Sequence, residues 1–184
     1  MGVEPDEVLR VIAALQTGNL KVWIDGGWGV DALLGEITRS HDDVDLVVEL
    51  RALADVVECL SVLDFSVRKD PSPVRVVMRS PEGRQVDLHP VTFDDEGTGW
   101  QIGAFPDGSD CPYPAEGFTV GRILDEAVPC LSAELQLEHH SGYTPRDRDR
   151  QDMARLAVRF GLELPSSLRS PISPTRRSAT LRSA

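Results

Sequence analysis

Two aspartates one residue apart, Asp43 and Asp45, follow a glycine pair, Gly26-Gly27, in the run WIDGGWGVDALLGEITRSHDDVDLVV from Trp23 to Val48. On an extended strand Asp43 and Asp45 share one face, while Val44, Leu46 and Val48 share the other. Neighbouring carboxylates repel, and proton uptake at neutral pH needs deep burial to relieve them. A hard divalent cation resolves the conflict, because Mg²⁺ is held by one or two carboxylates together with substrate phosphates. Two glycines at a strand-to-helix turn let backbone approach a ligand with no Cβ in the way. They also present the first unpaired amides of the helix, a place that receives phosphate. Either feature alone is an ordinary turn or a solvated strand end. In this order they describe a nucleotide-and-metal site.

Positioning these groups requires a strand at Val22–Ile24, the glycine turn, a short helix from Trp28 to Leu34 ending at Gly35, and a second strand from Asp43 to Val48. A polar link carrying Arg39 and His41 joins helix to strand. A third acid lies in RQVDLHPVTF, residues 84–93, where alternation sends Val86 and Leu88 one way and Asp87 and His89 the other.

The glycine pair, the short helix and Asp43-Val44-Asp45 resemble the core signature of the DNA polymerase β-like nucleotidyltransferase superfamily. The fuller run, WIDGGWGVDALLG followed by TRSHDDVDL, resembles its antibiotic-modifying branch, the aminoglycoside and lincosamide nucleotidyltransferases, which has Gly-Gly where most of the superfamily has Gly-Ser. Asp87-Leu-His-Pro, Val128-Pro-Cys-Leu-Ser and His140-Ser-Gly-Tyr extend the lincosamide likeness, so it covers roughly residues 20 to 160. The resemblance implies an α+β fold: a mixed twisted β-sheet with flanking helices and a small C-terminal helical part. It also implies transfer of AMP from ATP, or of another nucleotide from its triphosphate, to a hydroxyl of a small lincosamide or aminoglycoside acceptor, with pyrophosphate leaving and resistance as the outcome.

The same resemblance assigns roles. Asp43 and Asp45 hold one or two Mg²⁺; Asp87 takes the proton of the acceptor hydroxyl or shares a second metal. Gly26, Gly27 and the amide of Trp28 cradle the β- and γ-phosphates, and Arg39 and His41 add donors to the triphosphate. His89 and Tyr143 are substrate-binding candidates. Asp25 and Asp31 read as a helix cap or a supporting hydrogen bond, and Asp42 faces away from its neighbours. Two alternatives stay open: a toxin-type enzyme acting on a protein or RNA hydroxyl, and a non-catalytic nucleotide-binding module.

Composition narrows the setting. The chain has 184 residues, 41% of them hydrophobic, enough for one domain with a sizeable core and with no run of bilayer length. The start, MGVEPDEVLR, lacks a basic stretch followed by an apolar core, and Cys59, Cys111 and Cys130 are odd in number and widely spaced. Both point to the cytoplasm. The formal charge is −11; four arginines and no acid follow Leu164, so the first 164 residues carry −15. Such a body disfavours nucleic acid and membrane surfaces and suits a small cationic acceptor. Oligomeric state is not legible.

Elsewhere the expected organisation is a nucleotidyltransferase domain over 1–164, with a core at about 20–130, C-terminal helices at about 132–160, and a disordered tail at 165–184. Helices are expected at 5–16 and 50–63, and short strands at 65–67 and 73–79, the latter turned back by Ser80–Gly83. Asp94–Glu116 reads as loop, and 118–130 as a hairpin with Phe118-Thr-Val on one side of Gly121 and Val128-Pro-Cys on the other. Ser132 caps a helix over Ala133–His140. Thr144-Pro145-Arg146-Asp147 resembles a capping box opening a helix to Phe160, with Met153, Leu156, Ala157 and Phe160 on one face. His139 and His140, being adjacent on a helix, point apart and make no metal site.

Overall fold

A computed structural model describes residues 2–105 and 107–169. Among the described residues nine strands form one mixed sheet, whose main path runs β3-β4-β5-β2-β1-β9-β8. The strands on that path are β1 (Val22–Asp25), β2 (Asp43–Glu49), β3 (Ser66–Lys69), β4 (Val76–Arg79), β5 (Gln85–Phe93), β8 (Phe118–Ile123) and β9 (Glu126–Leu131). Two short strands, β6 (Gly99–Gln101) and β7 (Cys111–Tyr113), branch from β5. The helices are α1 (Pro5–Thr17), α2 (Gly26–Leu34), α3 (Leu53–Val62), α4 (Ala133–Ser141) and α5 (Asp147–Phe160). The α+β expectation holds.

Alternation fixes the central strands. Val44, Leu46 and Val48 of β2 pack with Val86 and Leu88 of β5 in the main core, beneath Val8, Val11, Ile12 and Leu15 of α1 and Val56 and Leu60 of α3. The opposite face of β2 carries Asp43 and Asp45 and then Val47, which is buried with Cys111, Tyr113, Leu131 and Leu135. The segment expected to be loop thus contains β6 and β7, and Cys111 and Tyr113 cover this face. The signal was weak because each strand is three residues long.

Three local expectations are corrected. The hairpin turns at Leu124-Asp125, with Leu124 at φ 52°, and Gly121 lies within β8 where helix α2 approaches; a Cβ there would sit 2.5 Å from the Ala32 carbonyl oxygen. Helix α5 begins two residues later than Thr144-Pro145 suggests: Arg146 is its N-cap, and the Asp149 carboxylate accepts the Arg146 amide at 2.8 Å. Phe160 is 44% exposed and leaves the apolar stripe to Met153, Leu156 and Ala157.

The first residues of the expected tail are structured. Ser166–Leu168 form a 3₁₀ turn, Leu168 is buried with Met153, Leu156 and Leu137, and Arg150 donates to the Ser167 carbonyl. Residues 170–184 lie outside the described residues. Burial of one leucine contributes about 2 kcal/mol. A chain ending at residue 164 should therefore melt roughly 4–8 °C below one ending at 169. Equal Tm values by calorimetry would show that the Leu168 contact contributes nothing.

Candidate active site

Strand register assembles the acids. β1 pairs antiparallel with β2 and β2 pairs parallel with β5, which makes Asp25 and Asp45 Cα partners, and likewise Asp45 and Asp87. Asp43, Asp45 and Asp87 line one polar cavity of about 390 Å³, together with Gly26, Gly27, Arg39, His41 and Tyr143. Among the described residues no three acids, histidines or cysteines form a closed metal cage. The arrangement is an open carboxylate row, the form in which a hard cation shares its coordination between protein and substrate phosphates.

Each acid is balanced differently. Burial raises the Asp45 carboxyl, but the His89 hydrogen bond at 3.2 Å and the charges of His89 and Arg75 outweigh it and hold the group below its usual range. Asp87, 1% exposed, is raised by burial and by Asp45, although it is ion-paired with Arg75 and hydrogen-bonded to Gln85 Nε2 at 3.1 Å. Asp43 is pushed up to about 6 by burial and by the charges of Asp45 and Asp87, with Arg148 opposing weakly. Among the described residues it has no ion-pair partner of its own. The row therefore offers hard oxygen donors for a divalent cation at Asp43 and Asp45, with Asp87 beside them held by Arg75.

A relay of neutral groups holds His89. Gln101 Nε2 donates to the Val74 carbonyl at 2.7 Å and its Oε1 accepts the Tyr113 hydroxyl at 2.8 Å. The amide therefore turns an N–H toward His89 Nδ1 at 3.2 Å, leaving Nε2–H to donate to Asp45. Burial lowers the imidazole pKa and Asp45 more than restores it, yet a proton at Nδ1 would displace the Gln101 N–H.

The glycine pair is explained by protein side chains at least as much as by a ligand. The helix starts at Gly26 itself, capped by the Asp25 carboxylate, which accepts the Gly26 amide at 2.6 Å. Gly26 has φ +58° and a Cβ there would lie 2.4 Å from Asp45 Oδ2. A Cβ on Gly27 would meet His41 Nδ1 at 2.3 Å and Arg39 Nη2 at 2.6 Å. His41 is 3% exposed and bonded to Asp31 Oδ2 at 2.6 Å, while Asp31 Oδ1 accepts the Thr38 amide and hydroxyl. Arg39 Nε and Nη2 bind Asp152 Oδ2 at 3.0 and 2.8 Å. Both expected triphosphate donors thus line the cavity but are committed to internal carboxylates. Trp28 is buried with its ring 4.6 Å from that of His41.

Other cations fill the gap. Arg75, Arg146 and Arg148 also line the polar cavity, as does the imidazole of His140. Arg75 was legible as one of two cations in PVRVVMR, with Arg79, on the alternation that faces Asp87. Arg146 and Arg148 were hidden in RDRDR, which reads as helix-start chemistry. Asp42 lines the rim, 3.7 Å from Arg148.

A second cavity, of about 360 Å³, adjoins the first and shares Arg75, His89 and Tyr143 with it. Val74, Ala104, Phe105, Pro112 and Tyr113 make it largely apolar, and Asp25 and Glu138 supply carboxylates. His139 faces this cavity, 3.6 Å from Cys111 Sγ, and His140 faces the other, as adjacent helical positions should.

A glycine-opened helix beside a three-carboxylate row on a mixed sheet defines a nucleotidyltransferase, and known proteins agree. The description aminoglycoside-2''-adenylyltransferase matches residues 7–156, so the chain belongs to that family. It is 29% identical over 154 residues, 84% of this chain and 94% of the relative, to the lincosamide resistance protein of Staphylococcus haemolyticus. It is 33% identical over 121 residues, 61% of each chain, to the 2''-aminoglycoside nucleotidyltransferase of Escherichia coli. The solved lincosamide antibiotic adenylyltransferase LnuA, bound to lincomycin, superposes with TM-score 0.75 and 29% identity over 85% of this chain and 98% of that one.

The charge imbalance has a measurable sign. The Asp43 carboxyl titrates near 6 when folded and near 4 when unfolded, so stability falls as pH rises through that interval and the penalty persists above it. In EDTA at pH 7.5, Asp43→Asn should be more stable than the parent by about 1 kcal/mol, after allowing for partial solvation of the carboxyl. At pH 4 the two should coincide. A variant less stable at pH 7.5 would contradict the crowding of the three charges.

Proposed function

We propose that the protein transfers AMP from ATP to a hydroxyl of a lincosamide-type antibiotic. Support comes from one observation above all: a polar cavity and a largely apolar cavity meet at Arg75 and His89, beside the row formed by Asp43, Asp45 and Asp87. The polar side takes the triphosphate, with the amides of Gly27 and Trp28 and the guanidiniums of Arg146 and Arg148 as donors, while the Gly26 amide stays with the Asp25 cap. Arg39 and His41 position that wall. The apolar side takes the acceptor. Its aromatic and proline walls suit an apolar arm, and Asp25 and Glu138 suit a single protonated amine.

Asp43 and Asp45, with Asp87 beside them, would hold Mg²⁺. The ion supplies charge neutralisation of the triphosphate and polarisation of the α-phosphate. Asp87 accepts the proton of the acceptor hydroxyl, His89 keeps Asp45 ionised and oriented, and Tyr143 closes the boundary between the substrates. Three free thiols and consumption of ATP fit action in the cytoplasm. The excess of 30 acids over 19 bases favours a second reading in which the acceptor is an aminoglycoside.

Incubation with α-labelled ATP, MgCl₂ and either lincomycin or an aminoglycoside decides between them. The expected product is adenylylated lincomycin with release of pyrophosphate, abolished in Asp43→Asn although that variant remains folded. Label on the aminoglycoside alone selects the second reading. Label on protein or RNA, or full transfer by Asp43→Asn, would end the assignment.

A further inference from the structure

Arg75 stands at the mouth of β4, where Val77 is the Cα partner of Asp87 and Val76 of Leu88. Two residues before Val77, its side chain emerges on the side of Asp87 and His89. One edge of the guanidinium, Nη2, is bonded to Asp87 Oδ2. Its Nε–H is buried and has no partner among the described residues. The side chain lines both cavities, and the carbonyl of the preceding residue, Val74, is pinned by Gln101. A planar cation with one edge on a carboxylate and a side chain still 43% exposed at the meeting of two cavities can present further N–H groups to a second oxyanion, and phosphoryl oxygen is the ligand whose geometry suits them.

We propose that Arg75 is a catalytic residue that contacts the transferred phosphoryl group and moves its charge from Asp87 to that group during the reaction. The inference rests on the transfer chemistry proposed above. In the step, the acceptor oxygen bonds to the α-phosphorus, the bond from that phosphorus to the α,β-bridging oxygen breaks, and pyrophosphate leaves with the electron pair. The hydroxyl proton passes to Asp87. As Asp87 loses its charge, its hold on Arg75 weakens, and negative charge grows on the non-bridging oxygens at the cavity boundary. The guanidinium meets that charge without leaving its place, which is the preorganisation that lowers a barrier most effectively.

Kinetics of Arg75→Ala and Arg75→Lys test this, with Tm confirming the fold of each. Loss of one such donor should lower kcat about 100- to 1,000-fold in both variants while the KM values for ATP and acceptor change little. Lysine keeps a charge for Asp87 but cannot span both oxygens, so Arg75→Lys should not restore turnover. The two diastereomers of adenosine 5'-O-(1-thiotriphosphate) supply a second readout. The parent should prefer one strongly, and Arg75→Ala should narrow that preference because the discriminating contact is gone. A purely structural role for Arg75 would slow both diastereomers alike, and that result overturns the proposal, as does near-parental kcat in Arg75→Ala. Absence of any transfer by the parent protein sinks the functional reading and this inference together. Active parent with an indifferent Arg75→Ala sinks this inference alone.

Discussion

The parallel pairing of β2 with β5 is the constraint on which the site depends. It sets Asp45 opposite Asp87, and a slip of one residue would send one of those acids into the main core. Nothing in the acids themselves favours this alignment, since like charges side by side oppose it. The register is held from the other face, where Val44, Leu46, Val48, Val86 and Leu88 pack beneath α1 and α3. Burial of each such side chain contributes about 1.5–3 kcal/mol. Core packing and the carboxylate row are therefore one choice of register seen from two sides of a sheet.

That coupling explains what the sequence disclosed. Period-two alternation around Asp43, Asp45 and Asp87 reports the apolar face directly, so the acids were placed on the other face by elimination. The strand-helix corner at Gly26-Gly27 was equally plain, although the reason for the glycines was not. Their Cβ positions are occupied by Asp45, His41 and Arg39, residues that arrive from distant parts of the chain, and no local pattern announces such a contact. The same holds for Arg39, whose Asp152 partner comes from α5. Strands β6 and β7 escaped because three-residue strands carry too little alternation to separate from loop. Arg75 was the one site residue that alternation could have found.

Helix α5 packs its apolar stripe on α2 and α4 and reaches the link before β2 by charge. Asp152, 3% exposed, receives Arg39 from the link before β2, and Arg148 leans toward Asp42 at the strand's start. Pairs of this kind add little net stability once desolvation is counted, but removing one partner is costly, so they specify orientation. Here they fix the angle at which the C-terminal helices close over the polar cavity. The likeness of the C-terminal segment to the lincosamide branch reflects that role, because residues 140–149 form a wall of the site.

Charge within the carboxylate row is distributed unevenly, and the unevenness has a direction. Asp45 has His89 and Asp87 has Arg75, whereas Asp43 has only the distant Arg148. A cation entering the row gains most at Asp43 and next at Asp45, whose hydrogen bond to His89 can be kept while an oxygen is shared. Asp87 yields least, because a metal there must compete with a resident guanidinium. Under the proposed function the row separates into an end open to a metal at Asp43 and Asp45 and an arginine-held end at Asp87, which adjoins the largely apolar cavity. A carboxylate reserved from the metal in this way is free to receive a proton, so the position of one arginine favours the base role for Asp87 over the ligand role.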